Sequence, residues 1–302
     1  MKNLPVLYVA IFFCALCSCS KTKTPNTQEE VFYEVTDFTD TVFTGGIEGP
    51  AFRNGELYVV NFQREGTIGV VDSDGEVSEF VKLPEGSVGN GIRFDRVGNM
   101  YIADYPKHNI LKIEQGSKEV QEFAHEDRMN QPNDIAIMKD GTLFASDPNW
   151  GEETGNLWMI SNTGEVSLLE SDMGTTNGVE VSPGEKYLYV NESLQRKIWR
   201  YEIGQDKSIS NKSLFHEFSD FGMDGMRCDK EGNLYVARYG KGVVAVLSPN
   251  GELLRDIVLP GNNPTNVAFG GSDYKTIYVT LQSKKKVVSF VNKYAGRALL
   301  IN

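Results

Sequence analysis

The chain has 302 residues, 40% of them hydrophobic, and a formal net charge of -11, so it is long enough to bury a substantial core. An acidic balance with no basic stretch argues against nucleic acid, because phosphate binding needs clustered Lys and Arg. No protein partner is implied; cations and uncharged small molecules suit the composition better.

At the N-terminus, Lys2 is followed by an apolar run from Leu4 to Leu16 that is short for a membrane span and reads as a secretory signal. The run ends in Leu16-Cys17-Ser18-Cys19, which resembles the bacterial lipobox. The expectation is a lipoprotein signal peptide over 1–18 and a lipid anchor to the membrane on Cys19. Ser20 after the cysteine points to the outer membrane of a bacterial envelope. An ordinary signal peptide is the alternative. Residues 19–30 are polar and contain Pro25, as expected of a tether. Three of the four cysteines, Cys14, Cys17 and Cys19, fall in the targeting segment. Cys228 alone remains for the folded part, at an apolar strand position that suits a buried structural thiol.

From residue 31 to 302 the chain is repetitive. Six segments each place a polar residue before an alternating strand, a turn and a second strand: Glu48, Asn90, Asn133, Asn177, Asp224 and Thr265. The aromatic of each second strand, Tyr58, Tyr101, Phe144, Tyr189, Tyr235 and Tyr278, recurs at 43, 43, 45, 46 and 43 residues, the period of four-stranded propeller blades. Turn signals at Asn54-Gly55, Val97-Gly98, Asp140-Gly141, Pro183-Gly184, Glu231-Gly232 and Ser272-Asp273 separate strands one and two. Third and fourth strands follow, as in Thr67 to Val71 with Val77 to Val81. The last repeat has three evident strands, while Val31 to Phe38 stands unassigned before the first. The pattern predicts an all-β, six-bladed β-propeller closed by that N-terminal strand, which removes the exposed edges of an open row of sheets.

In a propeller the first strand of each blade lines the central channel. Glu48, Asn133, Asn177 and Asp224 then offer two carboxylates and two amide carbonyls, an all-oxygen set suited to Ca2+, with Mg2+ or Zn2+ as alternatives. Four protein ligands leave positions open for water and substrate. Asn90 and Thr265 are weaker candidates. The competing reading is that Asn-Gly and Asp-Gly start strands as turn dipeptides; it leaves Glu48 unexplained. The far ends of the second strands supply an outer ring of Asn61, Asp104, Asp147, Glu192 and Arg238, placed to orient substrate or ligating side chains. Trp150 is placed to wall the pocket. There is no Gly-x-Ser-x-Gly motif, His108, His125 and His216 lack metal-binding spacing, and Asp72-Ser-Asp74-Gly75 reads as a hairpin turn.

These residues resemble the SMP-30/gluconolactonase-like family of six-bladed propellers, related in fold to the squid-type calcium-dependent phosphotriesterase. The carriers are Glu48-Gly-Pro, Asn90-Gly-Ile-Arg-Phe-Asp, Gln131-Pro-Asn-Asp with Ser146-Asp-Pro, Thr176-Asn-Gly-Val with Ser182-Pro-Gly, and Asp224-Gly-Met-Arg-Cys-Asp with Gly232-Asn-Leu-Tyr-Val-Ala. The resemblance implies that Glu48, Asn177 and Asp224 hold a divalent ion, with Asn133 a further ligand or substrate contact. Animal lactonases of the family carry arginine where this chain has Gln131, a departure that bears on sugar-lactone preference. The expected activity is metal-assisted hydrolysis of a small-molecule lactone or ester, the opening of a sugar lactone or similar cyclic ester at a divalent cation in the central channel. Asp224 is the expected catalytic base, with Asp134 and Asp147 behind it, and Asn133, Asp134, Asp147 and Arg238 are expected at the substrate. A phosphotriester or other ester hydrolase, or a noncatalytic ligand-binding propeller with structural calcium, remains open.

Overall fold

A computed structural model of the protein describes residues 1–2 and 32–300, without the side chains of 299–300. The expected signal, Cys19 and the tether lie outside the described residues. Six four-stranded antiparallel sheets follow one another along the chain. Blade 1 comprises Phe43–Arg53, Glu56–Phe62, Thr67–Val71 and Val77–Lys82, and blade 2 Gly89–Phe94, Met100–Asp104, Asn109–Ile113 and Val120–His125. Blade 3 comprises Ile135–Ile137, Leu143–Asn149, Thr154–Ile160 and Val166–Met173, and blade 4 Thr176–Val181, Tyr187–Glu192, Lys197–Ile203 and Ile209–Glu217. Blade 5 comprises Met226–Cys228, Leu234–Arg238, Val243–Leu247 and Leu253–Val258. Blade 6 joins Pro264–Gly270, Thr276–Leu281 and Lys286–Val291 to the N-terminal strand Thr36–Asp37. First strands of successive blades touch, and blade 6 touches blade 1, so the ring closes.

The closing strand is shorter than the Val31 to Phe38 expected from sequence. Thr36 and Asp37 pair with Ser289 and Val288, and the Tyr33 and Phe38 amides donate to Val291 and Val287 carbonyls at 2.9 and 3.0 Å. Phe38 packs against Tyr278, ring centres 4.7 Å apart. Alternation along each strand buries one row against each neighbouring blade, so the core is six inter-blade layers. One joins Tyr101 and Ile110 of blade 2 to Ile135, Leu143 and Trp158 of blade 3. Cys228 lies in such a layer between blades 4 and 5, buried and free, and burial pushes its thiol well above the usual range.

Four of the six expected turns have their glycine in the left-handed region, Gly55, Gly98, Gly141 and Gly232. In blade 4 Glu185 takes that conformation instead of Gly184, and in blade 6 Gly271 and Tyr274 flank the expected Ser272-Asp273 pair.

The glycines after the channel-lining residues have a different purpose. Asn90-Gly91 and Asn177-Gly178 lie inside strands, not in turns. A Cβ on Gly225 would sit 1.9 Å from Asn266 Cγ in the next blade. Gly49 adds a left-handed backbone, φ 59°, and its Cβ would lie 1.9 Å from the Asn90 carbonyl oxygen. The turn-dipeptide reading is thereby replaced: these positions are glycine because neighbouring blades meet there backbone to backbone. Gly49→Ala is expected to destabilise by more than about 2 kcal/mol in urea unfolding, through strain and clash together. Gly184→Ala, which would meet nothing within 4 Å, serves as the control and is expected to stay within about 0.5 kcal/mol of the parent.

Candidate metal centre and substrate cavity

One end of the channel opens into a cavity of about 480 Å³ whose lining includes all six column residues, Glu48, Asn90, Asn133, Asn177, Asp224 and Thr265. The structure thus brings together every residue of the expected metal set. Glu48, Asn133 and Asn177 are buried. The Oδ1 atoms of Asn133 and Asn177 are buried without a hydrogen-bond partner, a costly condition for an amide oxygen unless a ligand takes it up. Beside them lie the carboxyls of Glu48 and Asp224, close enough that the charge of Glu48 raises Asp224.

Two buried carboxyls this close disfavour full ionisation, so in the metal-free protein this pair holds protons to unusually high pH. Burial, then the charge of Asp134, raises Glu48 to about 7. Asp224 is raised well above the carboxylate range by burial first and then by Glu48 and Asp134. A divalent cation in place of those protons would relieve both carboxylates and supply the two orphaned amide oxygens. The donor set therefore fits a hard cation. Among the described residues there is no cluster of three or more His, Cys, Asp or Glu suited to a metal, so a cation here depends on the amides as much as on the acids.

Asp134 lies behind this floor and is 1% exposed. It accepts from Arg93 Nη2 at 3.2 Å, Arg227 Nη1 at 3.1 Å and the Ile135 amide at 3.0 Å. Arg93 and Arg227 sit three residues beyond Asn90 and Asp224, and Glu180 three beyond Asn177. Glu180 lies 4.0 Å from Arg93 and 3.4 Å from Arg297. Arg297, from the C-terminal segment, is 4% exposed and also donates to the Ser182 and Ile137 carbonyls and to Glu185 at 3.2, 2.9 and 3.2 Å. Burial lowers Arg93 to about 10, so it stays charged near neutrality. A smaller cavity of about 70 Å³ lies among Arg93, Glu180, Arg227 and Arg297.

The outer ring braces the column. In blades 2 to 5 its member bonds the segment leading into that blade's own first strand, and in blade 1 Asn61 bonds the first strand itself. Asn61 Nδ2 donates to the Gly46 carbonyl at 2.6 Å, and Asp104 accepts from the Val88 amide at 3.2 Å and Ser87 Oγ at 2.8 Å. Asp147 accepts from the Asn130 and Gln131 amides at 2.7 and 2.6 Å and from Trp158 Nε1 at 2.8 Å. Glu192 accepts from the Gly174 amide at 3.0 Å, and Arg238 donates to the Gly222 carbonyl at 3.2 Å and to Asp220 at 2.8 Å. In blade 6, Thr265 Oγ1 donates to Thr280 Oγ1 at 2.7 Å.

This geometry corrects the expectation that Asp134, Asp147 and Arg238 meet substrate. Asp147 and Arg238 are fully buried, none of the three lines the cavity, and their hydrogen-bonding atoms are directed into the protein. The same engagement removes Asp134 and Asp147 as alternative bases. Asn133 does line the cavity.

The loops between second and third strands of all six blades contribute to the wall: Glu65, Tyr105, Trp150, Ser193 with Leu194, Tyr239 and Gln282. Only Trp150 was legible beforehand. The axial charges Arg93, Glu180 and Arg227 were missed, although each is a charged residue flanked by apolar ones, as in Ile92-Arg93-Phe94 and Val179-Glu180-Val181. That is the signature of a buried, paired charge.

A sequence profile described as "SMP-30/Gluconolactonase/LRE-like region" matches residues 47–283. The chain is 28% identical over 261 residues to a gluconolactonase of Zymomonas mobilis, covering 74% of this chain and 72% of that protein. It is 28% identical over 280 residues to a diisopropyl-fluorophosphatase of Loligo vulgaris, covering 81% and 88%. Its fold matches that of a calcium-binding regucalcin from Agrobacterium tumefaciens with a TM-score of 0.75 at 20% identity, covering 86% and 94%.

The raised carboxyls predict how metal-free protein responds to pH. Stability contributed by their protonated forms is complete below the unfolded value near 4.5 and is lost as pH rises through the folded value near 7 for Glu48. Chelated protein is therefore expected to lose melting temperature between pH 5 and pH 8. Saturating Ca2+ should stabilise it more at pH 8 than at pH 5, since binding displaces protons; differential scanning fluorimetry at both pH values measures this. An equal shift at the two would place any bound cation away from Glu48 and Asp224.

Proposed function

The chain belongs to the SMP-30/gluconolactonase/LRE-like family, and from that membership we propose that it is a lactonase-type hydrolase opening an ester at a divalent cation held by Glu48, Asn133, Asn177 and Asp224. The supporting observation is the pair of buried, unpartnered amide oxygens beside the Glu48 and Asp224 carboxyls, at the floor of a cavity open to solvent. When bound, the cation would polarise the ester carbonyl and offset charge developing on its oxygen.

Asp224 is the proposed base. It is less buried than Glu48 and lines the cavity beside the unpartnered amide oxygens, where a carboxylate can accept a proton from attacking water. Glu48, held by the Gly49 amide and by Asn266 Nδ2 at 3.4 Å, is better placed as a fixed ligand. The cavity excludes bulk water on the protein side through Ile47, Val88 and Met223. Ca2+ is the preferred ion, since the oxygen donors suit it and four protein groups fall short of its usual six to eight. The similarity to a fluorophosphatase brings phosphotriesters into the same proposal as a second substrate class.

The test is hydrolysis of a panel of lactones, linear esters and phosphotriesters by chelated and metal-restored protein. Chelation is expected to abolish turnover and Ca2+ to restore it. At saturating metal, Asp224→Asn is expected to lower kcat by about 10²- to 10⁴-fold, while Asn90→Ala has a much smaller effect. Parent-like turnover by Asp224→Asn would remove it as the base.

We also propose that Cys19 is lipidated and anchors the protein in a bacterial envelope, on the strength of the Leu16-Cys17-Ser18-Cys19 sequence. Cys19→Ser is expected to abolish palmitate labelling and move the protein from the membrane fraction to the soluble one. An unmodified N-terminus elsewhere, found by mass spectrometry, would remove this assignment.

A further inference from the structure

The wall of the cavity narrows the substrate class. Its charged lining residues are Glu48, Glu65 and Asp224, and none of the described lining residues is Lys, Arg or His. Polar groups on the wall are largely engaged with one another. Asn61 Nδ2 donates to the Gly46 carbonyl and Ser193 Oγ to the Met223 carbonyl. Tyr239 donates its hydroxyl to Gln282 Oε1 at 2.5 Å, and Gln282 Nε2 donates to the Gly45 carbonyl at 2.6 Å. The contributions facing the cavity are then mainly aromatic faces with Leu194 and Met223. Trp150 and Leu194 are 37% and 44% exposed, so apolar surface continues to the mouth.

A polyhydroxylated ring would surrender its water to a wall with few free partners, weakening binding by about 5- to 150-fold per unmade hydrogen bond. An anionic substituent lying along the wall would find no Lys, Arg or His there and would meet the carboxylate of Glu65. An alkyl or aryl substituent would instead bury against the aromatic faces and improve binding about fourfold per methylene. Building on the lactonase reading proposed above, we infer that this site takes electroneutral lactones or esters carrying an apolar substituent, which lies along Trp150, Leu194 and Tyr239, and that it discriminates against sugar and phosphorylated lactones. The inference departs from the sugar-lactone expectation by assigning selectivity to the loops of the wall while keeping the floor unchanged.

The experiment compares kcat/KM of the Ca2+-loaded protein for a δ-lactone bearing a heptyl chain, unsubstituted δ-valerolactone, glucono-δ-lactone and its 6-phosphate. The heptyl lactone is expected to exceed valerolactone by at least about tenfold, mainly through KM, and the phosphorylated lactone to fall about a hundredfold or more below it. Trp150→Ala should reduce the heptyl-to-valerolactone ratio about tenfold, and Leu194→Arg should raise kcat/KM for the phosphorylated lactone by about tenfold. A preference for the sugar or phosphorylated lactone in the parent, or a ratio unmoved by Trp150→Ala, would overturn the inference. If no lactone is opened, the hydrolase reading fails separately. Calorimetry with heptyl-substituted δ-lactam and gluconolactam then decides the selectivity: tighter binding of the heptyl lactam supports it, and equal or weaker binding, or none, overturns it.

Discussion

Close approach of six first strands around one axis is the constraint from which the site follows. Where blades meet, backbone bonds backbone: the Gly91 amide donates to the Asn133 carbonyl at 2.9 Å and the Gly225 amide to the Thr265 carbonyl at 2.7 Å. The carbonyls of these column residues are thereby engaged within the ring, and a Cβ on the following residue would collide with the next blade at Gly49, Gly178 and Gly225. The column side chains are left to project into the axial cavity. Convergence of Glu48, Asn133, Asn177 and Asp224 is a consequence of closing the ring, so the donors are positioned before any ligand arrives, which is the preorganisation that metal binding and catalysis reward.

Closure alone would leave the column free to shift along the axis, and the braces prevent that. Asp104, Asp147, Glu192 and Arg238 are each buried by the fold yet hydrogen-bonded to the backbone that leads into the first strand of their own blade. A buried charge is tolerable where donors or acceptors surround it. Here the surrounding groups are those whose position fixes the column. Asp134 provides the equivalent link along the axis, accepting from Arg93 and Arg227 on two other blades.

Much of this was legible in the sequence, and what escaped has a physical reason. Period and turn signals determine blade number and strand order because each blade repeats one local pattern. Column residues stand out because a polar group repeats where an apolar one would otherwise continue the strand. Direction of a side chain at the far end of a strand is a different matter: Asp147 and Arg238 were assigned to the correct place, yet the preceding loop folds over them and takes their hydrogen bonds. Strand period cannot report that. The wall was illegible for a related reason, since Tyr105, Leu194, Tyr239 and Gln282 lie in loops of the same four-residue length yet share no chemistry. Arg297 was unreadable because its partner Glu180 is over a hundred residues away and only the closed ring brings the C-terminal segment across the far end of the channel.

Charge along the axis connects these parts. Glu48, Asp224, Asp134 and Glu180 carry four potential negative charges, and Arg93, Arg227 and Arg297 carry three positive ones. Arg297 also pairs with Glu185, so with every group ionised the cluster is two charges negative and a divalent cation brings it to neutrality, with the positive charge placed at the floor where a hydroxide or newly formed carboxylate would lie. Without the arginines, adding the cation would leave the cluster net negative, disfavouring the oxyanion that ester hydrolysis develops. The arginines are therefore as much a part of the proposed chemistry as the ligands, although none of them lies in the substrate cavity. Above the floor the balance reverses: the wall offers no cation among its described lining residues. Once released from the floor, an anionic product meets no second positive site to retain it. On the proposed reaction, strong attraction for negative charge is confined to the level of the column, so the site favours the anion where it forms and does not hold it on the way out.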